Sequence, residues 1–235
     1  RAGIAVADSS AGLYAALGIM VALLERETSG EGQWVQTSLL QSQIAMNDFQ
    51  AARYLMSGEI PKQAGNDHPT SMPTSVYKTI DGHINIAASG DGSWKRLCKA
   101  IDRDDLFNDP RFDSEANRSE NRVALNEEIN RASRQFTSAN LVAKLNAAGV
   151  PCGPIYSMDE VFADPQVEHL QCAATVAHPK LGEIKLVNQP IKLSRTPAAI
   201  NSATPELGQH STAILSELGY TGGQIDQLRE RKIIQ

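Results

Sequence analysis

The chain has few cysteines and few aromatic residues, and it lacks an excess of basic residues. Its 235 residues include three cysteines, 5% aromatic residues, and 22 lysines and arginines against 27 aspartates and glutamates. Cys98, Cys152 and Cys172 form no Cys-x-x-Cys motif, which argues against a disulfide framework or a cysteine zinc site. We expect reduced thiols in a cytoplasmic, reducing compartment. The net charge of −5 argues against nucleic-acid binding, which needs clustered positive charge.

Long apolar runs are also missing. The longest one, residues 11–24, is shorter than a bilayer-spanning helix and is followed at once by Glu25-Arg26-Glu27. No basic segment of useful length precedes it, so we predict neither a signal peptide nor a membrane partner. The five histidines show no metal-ligand spacing, and no metal is expected. The chain opens at Arg1 in the middle of a pattern, and we expect it to be part of a longer protein.

The apolar run predicts the first helix and gives the first candidate for chemistry. Apolar residues recur at helical spacing with small residues between them, so this helix should be buried on most faces. Ser9 or Ser10 can cap it, and Gly30 can end it. Asp8 would then lie just before the helix, near its partial positive charge, which suits a carboxylate nucleophile or base. A simple capping role for Asp8 is the alternative.

The middle of the chain changes from helical to mixed patterns. A capping box at Ser38 begins a second helix toward residue 54, after the extended segment 34–37. Glycines and prolines then interrupt residues 57–74, which predicts a linker or an active-site loop. Gly65, Asn66 and His68 are the loop's candidate site residues, although an exposed loop histidine is the ordinary alternative.

A compact α+β unit is predicted after this loop. Strands at 76–80 and 83–87 flank Asp81-Gly82, a pair typical of a type I′ turn. Helices are expected at 93–101 and 119–135, and a third is expected between a Ser138 cap and Gly149. A second strand pair at 175–178 and 184–188 and two final helices, about 208–218 and 223–231, complete the pattern.

Glycine motifs for nucleotide binding are incomplete. Gly90-Asp91-Gly92 stands between a strand and a helix, where a phosphate loop would stand. It lacks the third glycine of a dinucleotide site and the Gly-Lys-Ser/Thr of a P-loop, so a tight turn is the favoured interpretation. Gly-x-Ser-x-Gly is absent, and a serine hydrolase has no support.

Several segments, spread in order along the chain, resemble the family III CoA-transferases, with which the α-methylacyl-CoA racemases share a fold. The stretches that carry the resemblance include Ala7-Asp8-Ser9-Ser10-Ala11-Gly12, Ser29-Gly30-Glu31-Gly32-Gln33-Trp34-Val35, Gly65-Asn66-Asp67-His68-Pro69, Asp109-Pro110-Arg111-Phe112 and Ala148-Gly149-Val150-Pro151-Cys152-Gly153-Pro154. Each segment is weak by itself, but the ordered combination is specific.

The resemblance implies a catalytic role for Asp8, with coenzyme A as the acyl-CoA co-substrate and no metal. In a transferase, Asp8 would attack the thioester to give a mixed anhydride and then an aspartyl-CoA thioester, from which CoA passes to a carboxylic acid. In a racemase, Asp8 would instead be one of two bases that move the proton α to the thioester. A non-catalytic binding fragment is the third interpretation.

The resemblance also implies an α/β architecture in an interlocked homodimer. Residues 1–45 would end a large doubly wound domain, and 46–74 would form a linker. Residues 75–175 would be the small α+β domain, with 176–204 as the return linker. Residues 205–235 would pack back on the large domain.

Overall fold

The computed structural model describes residues 3–235, so the first two residues of the predicted 1–45 segment lie outside the described residues. The chain folds as two compact units, one ending at Pro154 and one running from Ile155 to Gln235. Both combine helices with short strands, and every strand pair found in residues 3–235 is antiparallel. The predicted mixture of helix and sheet is confirmed, whereas a doubly wound domain stays a prediction.

The first unit begins with three helices, α1 (Val6–Ser29), α2 (Leu39–Ala45) and α3 (Asp48–Ser57). Helix α1 ends at Gly30 as predicted, with this glycine in the left-handed conformation and its N–H donated to Arg26 O. Ser38 caps α2 as predicted, because its hydroxyl accepts the Gln41 N–H. The helix expected to run on to residue 54 is broken between α2 and α3, and residues 34–37 form no strand.

The predicted burial of α1 is wrong for this chain. Leu13, Leu17 and Leu24 are 73%, 61% and 74% exposed, because α2 is the element of the described chain that packs against α1. The helix is also longer than the apolar run 11–24, because residues 6–10 and 25–29 are helical as well and bring it to 24 residues. By length and composition alone, the helix could cross a membrane, since an 18-residue stretch of it has a mean hydropathy of 1.6. Core helices of globular proteins share both properties.

A three-stranded sheet follows, built from β1 (Thr74–Lys78), β2 (His83–Ala87) and β3 (Cys152–Pro154) in that order. Lys78 pairs with His83, so the hairpin loop has four residues, 79–82. The predicted two-residue type I′ turn at Asp81-Gly82 is therefore wrong, and neither residue has the positive φ that such a turn requires. Thr79 N–H closes the loop on Gly82 O instead.

Five helices of the first unit lie between β2 and β3. They are α4 (Asp91–Ala100), α5 (Asp104–Phe107), α6 (Glu115–Glu120), α7 (Arg122–Ser133) and α8 (Ser138–Ala147). The single helix predicted at 119–135 is thus two helices that meet at Asn121, and Thr137 rather than Ser138 caps α8. Apolar side chains from the sheet and these helices form the core, including Tyr77, Ile84, Trp94, Leu97, Leu125, Ile129 and Leu141.

The second unit contains α9 (Met158–Ala163), α10 (Pro165–His169), β4 (Ala173–His178), β5 (Gly182–Val187), α11 (Ser211–Glu217) and α12 (Gly222–Glu230). The predicted strand pair is confirmed as the β4–β5 hairpin, in which His178 faces Gly182. The two predicted C-terminal helices are confirmed as α11 and α12.

Candidate active site

Asp8 is the third residue of α1 and does not precede the helix, contrary to the sequence prediction. The helix begins at Val6, with Ala5 in the N-cap position. Neither Ser9 nor Ser10 caps it, because both lie inside the helix, where the Ser10 hydroxyl donates to Ala7 O at 3.1 Å. Within the described residues, the Asp8 carboxylate accepts no hydrogen bond. The capping role proposed as the alternative therefore has no support in the geometry.

The exposed Asp8 carboxylate lies beside a cavity of about 850 Å³. Its walls are the segment 3–8 and Gln43 of α2. The Val6 N–H donates to Ile4 O and Ala5 supplies no side-chain acceptor, so the N–H groups of Ala7 and Asp8 remain open to a ligand or to water. These N–H groups and the positive end of a 24-residue helix favour negative charge in the cavity. The arrangement can hold an ionised nucleophile and stabilise an anionic intermediate beside it.

The loop that contains the other candidates is held by contacts of His68. His68 Nδ1 accepts the backbone N–H groups of Ser71 and Thr70 at 3.0 and 3.3 Å. The imidazole ring also stacks on Phe49 of α3, with the ring centroids 5.6 Å apart. Gly65 has a φ of +62°, which permits a turn that other residues adopt at a cost. His68 is therefore held in place by contacts on both the ring and Nδ1.

Asp67, between Asn66 and His68, extends this anchorage to the sheet. Its Oδ1 accepts Asn126 Nδ2 at 2.9 Å, and Asn126 Oδ1 in turn accepts the Tyr77 hydroxyl at 2.8 Å. Burial, with a smaller contribution from the Asp67 charge, raises the pKa of Tyr77 well above its usual range. The hydroxyl therefore stays protonated and acts as a donor. Asn66 itself is exposed.

The structure does not bring this loop to Asp8. No residue of 65–74 lines the Asp8 cavity, whereas Pro69 lines a different cavity with residues of α3 and α7. Gly65, Asn66 and His68 are thus placed as an anchored connection, and a lid role stays a prediction.

Gly90-Asp91-Gly92 is a helix start. Gly90 is the N-cap of α4, and the Asp91 carboxylate lies 2.6 Å from Nη2 of Arg118. The segment thus starts a helix and forms an ion pair with Arg118, which supports the favoured interpretation of a tight turn. Sequence reasoning missed Arg118, because a lone arginine in a polar helix carries no signal of burial.

Neither histidines nor cysteines assemble into a further centre in the part of the chain that the structure describes. No group of three or more His, Cys, Asp or Glu side chains in residues 3–235 is placed to hold a metal ion. Cys98, Cys152 and Cys172 are free thiols. Burial raises the pKa of Cys98 to about 12 and also raises that of Cys152, so neither is an activated nucleophile.

Comparison with known proteins gives a consistent result along the chain. The model of CoA-transferase family III matches residues 1–211. The succinyl-CoA–D-citramalate CoA-transferase of Chloroflexus aurantiacus is 34% identical, over 100% of this chain and 59% of its own length. The human succinyl-CoA:glutarate CoA-transferase is 31% identical, over 100% of this chain and 54% of its own length.

A solved structure agrees with the sequence matches. The CaiB/BaiF family protein from Brucella suis superposes with a TM-score of 0.76 at 32% identity, over 93% of this chain and 56% of that protein. The chain thus spans between half and three-fifths of the length of these relatives.

Proposed function

The chain belongs to CoA-transferase family III, and we propose that the protein transfers CoA from an acyl-CoA to a carboxylic acid through Asp8. The match across residues 1–211 carries this proposal. The position of Asp8, exposed beside a cavity in the first turn of a long helix, supports its role in the chemistry. Acyl-CoA is the co-substrate, and no step requires a metal.

In the proposed reaction, the Asp8 carboxylate attacks the thioester carbonyl carbon, the C–S bond breaks and CoA thiolate leaves. The thiolate then attacks the Asp8 carbonyl of the mixed anhydride, which releases the donor acid and leaves an aspartyl-CoA thioester. The acceptor carboxylate attacks this thioester, forms a second anhydride and frees the thiolate. Thiolate attack on the acceptor's carbonyl carbon yields the new acyl-CoA and restores Asp8.

The first turn of α1 has a specific part in this sequence. Each attack places negative charge on a carbonyl oxygen, and open N–H groups near Asp8 can stabilise that charge. The anhydride keeps the acyl group activated, provided that water is excluded while it exists. We infer that the rest of the intact protein closes the cavity, because Asp8 is exposed in this chain.

The names of the relatives suggest the substrate class. The Chloroflexus and human enzymes are named for succinyl-CoA as donor and for D-citramalate and glutarate as acids. All three acids are short dicarboxylates. We therefore propose a short dicarboxylic acid as acceptor and succinyl-CoA as the first donor to test.

The two alternatives have less support. A racemase would use the same carboxylate as a base, but the relatives described above bear transferase names. A non-catalytic fragment would explain why α1 exposes apolar side chains, yet a missing part of a longer enzyme explains this equally well. We propose that these side chains are covered in an interlocked homodimer. The molar mass of the full-length protein, measured by light scattering, would test whether it is a dimer.

The decisive experiment is Asp8→Asn in the full-length protein. With succinyl-CoA and a panel of free acids, the wild type should form new CoA esters and the variant should form none. Hydroxylamine added during turnover should convert Asp8 of the wild type to a hydroxamate, detectable by peptide mass spectrometry.

Asp48→Asn is the matched control, because Asp48 is also an exposed first-turn aspartate, in α3. It should keep full activity. Transfer by Asp8→Asn at the wild-type rate would overturn the assignment. Exchange of α-hydrogen for deuterium in D₂O without new CoA esters would favour the racemase.

A further inference from the structure

We propose that the cavity between α3, the linker after it and the start of α7 binds a small anion with two negative charges, such as a short dicarboxylate or phosphate. The cavity has a volume of about 490 Å³ and carries three cationic side chains, Arg53, Lys62 and Arg122. It is distinct from the Asp8 cavity, with which it shares no lining residue. The inference is therefore independent of the role of Asp8.

A carboxylate already occupies part of this cavity. The guanidinium of Arg53 forms an ion pair with Glu59, and its other terminal nitrogen donates to Gln50 Oε1 at 2.8 Å. The Glu59 side chain is 57% exposed, so it can leave the guanidinium for solvent. A ligand carboxylate can then take the place of Glu59, because a guanidinium binds carboxylate and phosphate oxygens strongly.

Arg122 supplies a second, more rigid cation. Its Nε donates to Ser119 O at 3.2 Å and its Nη2 to Pro69 O at 3.1 Å. These two bonds fix the guanidinium without neutralising it, since backbone carbonyls carry no net charge. In residues 3–235, Arg122 forms no ion pair, and its full positive charge therefore remains available to a ligand.

Lys62 is the third cation and the most exposed of the three. It is exposed, lies in the linker, and forms no ion pair within the described chain. A flexible ammonium at the edge of a cavity can close on an anion after it enters.

The charges determine the class of ligand. Even while Glu59 stays paired with Arg53, the cavity keeps two positive charges, those of Lys62 and Arg122. A dianion would neutralise them, whereas a monocarboxylate would leave one uncompensated. The volume admits a molecule of succinate or phosphate size with water around it.

Protection of Lys62 from acetylation tests this site in the full-length protein. The protein is treated with an N-hydroxysuccinimide ester of acetic acid, and modification of each lysine is followed by peptide mass spectrometry. Saturating succinate or inorganic phosphate should slow acetylation of Lys62 about tenfold, the effect expected of a charge-assisted contact. Acetate at the same concentration should protect weakly. The lower half-protection concentration shows whether dicarboxylate or phosphate is preferred.

Lys99 is the internal control, because it is exposed on α4 and lies outside the cavity. Its acetylation should not respond to either anion. Glu59→Gln should lower the half-protection concentration about fivefold, since it removes the competing charge. Asp8→Asn should leave protection unchanged, so this test and the transferase test can fail separately.

Two results would overturn the proposal. One is the absence of Lys62 protection by both anions in wild type and Glu59→Gln. The other is equal protection of Lys62 and Lys99, which would show only general screening. Tighter binding by Glu59→Gln cannot arise from misfolding, so this variant separates a real site from a damaged one.

Discussion

Arg118 Nη2 lies 2.6 Å from Asp91 Oδ1, and this contact joins a completely buried guanidinium to a carboxylate that is 72% exposed. The same guanidinium donates to the backbone carbonyls of Met72, Ser89 and Phe112. One side chain thus connects the segment before β1, the end of β2 and the segment before α6. A buried cation needs such partners, because desolvation without them is costly.

Removing either partner should destabilise the protein by different amounts. Arg118→Met leaves three carbonyls, two of them buried, without this donor and should lower the free energy of unfolding by about 3 kcal/mol. Asp91→Asn keeps an acceptor near water and should cost about 1 kcal/mol. Urea unfolding of the full-length protein measures both values.

Asp226→Asn provides the control, because Asp226 pairs with Arg229 on the surface of α12. Its effect should stay within about 0.5 kcal/mol, as for most exposed ion pairs. If Arg118→Met were no more harmful than this control, the buried guanidinium would not be a structural centre.

Local patterns predicted the elements of this chain better than their ends. Alternating apolar residues predict the two strands near 76–80 and 83–87, but they do not predict the loop between them. The conformation of that loop depends on Asp81, which is held by a distant segment. Its Oδ1 accepts the N–H and the hydroxyl of Ser138, 57 residues away. Such a contact favours the longer loop over a type I′ turn and has no signature in the sequence near Asp81.

In the candidate sites, too, local features could be predicted from the sequence and long-range contacts could not. Asp8 could be singled out because an acidic residue near a helix start is a local feature, although the helix begins earlier than predicted. The burial of α1 could not be predicted for this chain, since burial depends on what packs against the helix. Arg53, Lys62 and Arg122 are brought together only by the fold, and their spacing in the sequence gives no indication of a common cavity.

We expect His68 to hold its loop through two contacts, the hydrogen bond that Nδ1 accepts from Ser71 and the stacking of the ring on Phe49. His68→Asn keeps a side-chain acceptor for the Ser71 N–H but loses the stacking on Phe49, whereas His68→Phe keeps an aromatic ring and loses the acceptor. We expect His68→Phe to speed amide hydrogen exchange of Thr70 and Ser71 about tenfold, the size of one lost hydrogen bond. Hydrogen-exchange mass spectrometry measures this effect.

The Asn variant separates the two contacts. It should leave exchange at Ser71 within about twofold of the wild type, because the acceptor is retained. Acceleration in His68→Asn but not in His68→Phe would mean that the ring stacking, and not Nδ1, holds the loop.

Asp81 should contribute to the acid sensitivity of the fold. The Ser138 backbone N–H, followed by the Ser138 hydroxyl, holds the pKa of Asp81 below its usual range. The ionised form therefore stabilises the fold above the unfolded pKa of about 4, and this contribution is lost as the pH falls through the folded pKa. The difference in urea midpoint between wild type and Asp81→Asn should be present at pH 7 and should close at low pH.

Ser138→Ala tests the stated cause of the lowered pKa. It removes the hydroxyl donor and keeps the N–H, so its pH dependence should lie between those of wild type and Asp81→Asn. A gap that stays constant from pH 7 to low pH would contradict the role of ionised Asp81.

Cys98 should report global unfolding through its reactivity. Burial, followed by the charges of Asp104 and Asp105, raises its pKa to about 12. At pH 8 about one Cys98 thiol in ten thousand would be ionised, and only the thiolate reacts with iodoacetamide. Cys152 is half-buried, so it should be labelled before Cys98 in native protein. Labelling of Cys98 should rise with urea in parallel with unfolding, and equal native labelling of both thiols would show that the core around Cys98 opens locally.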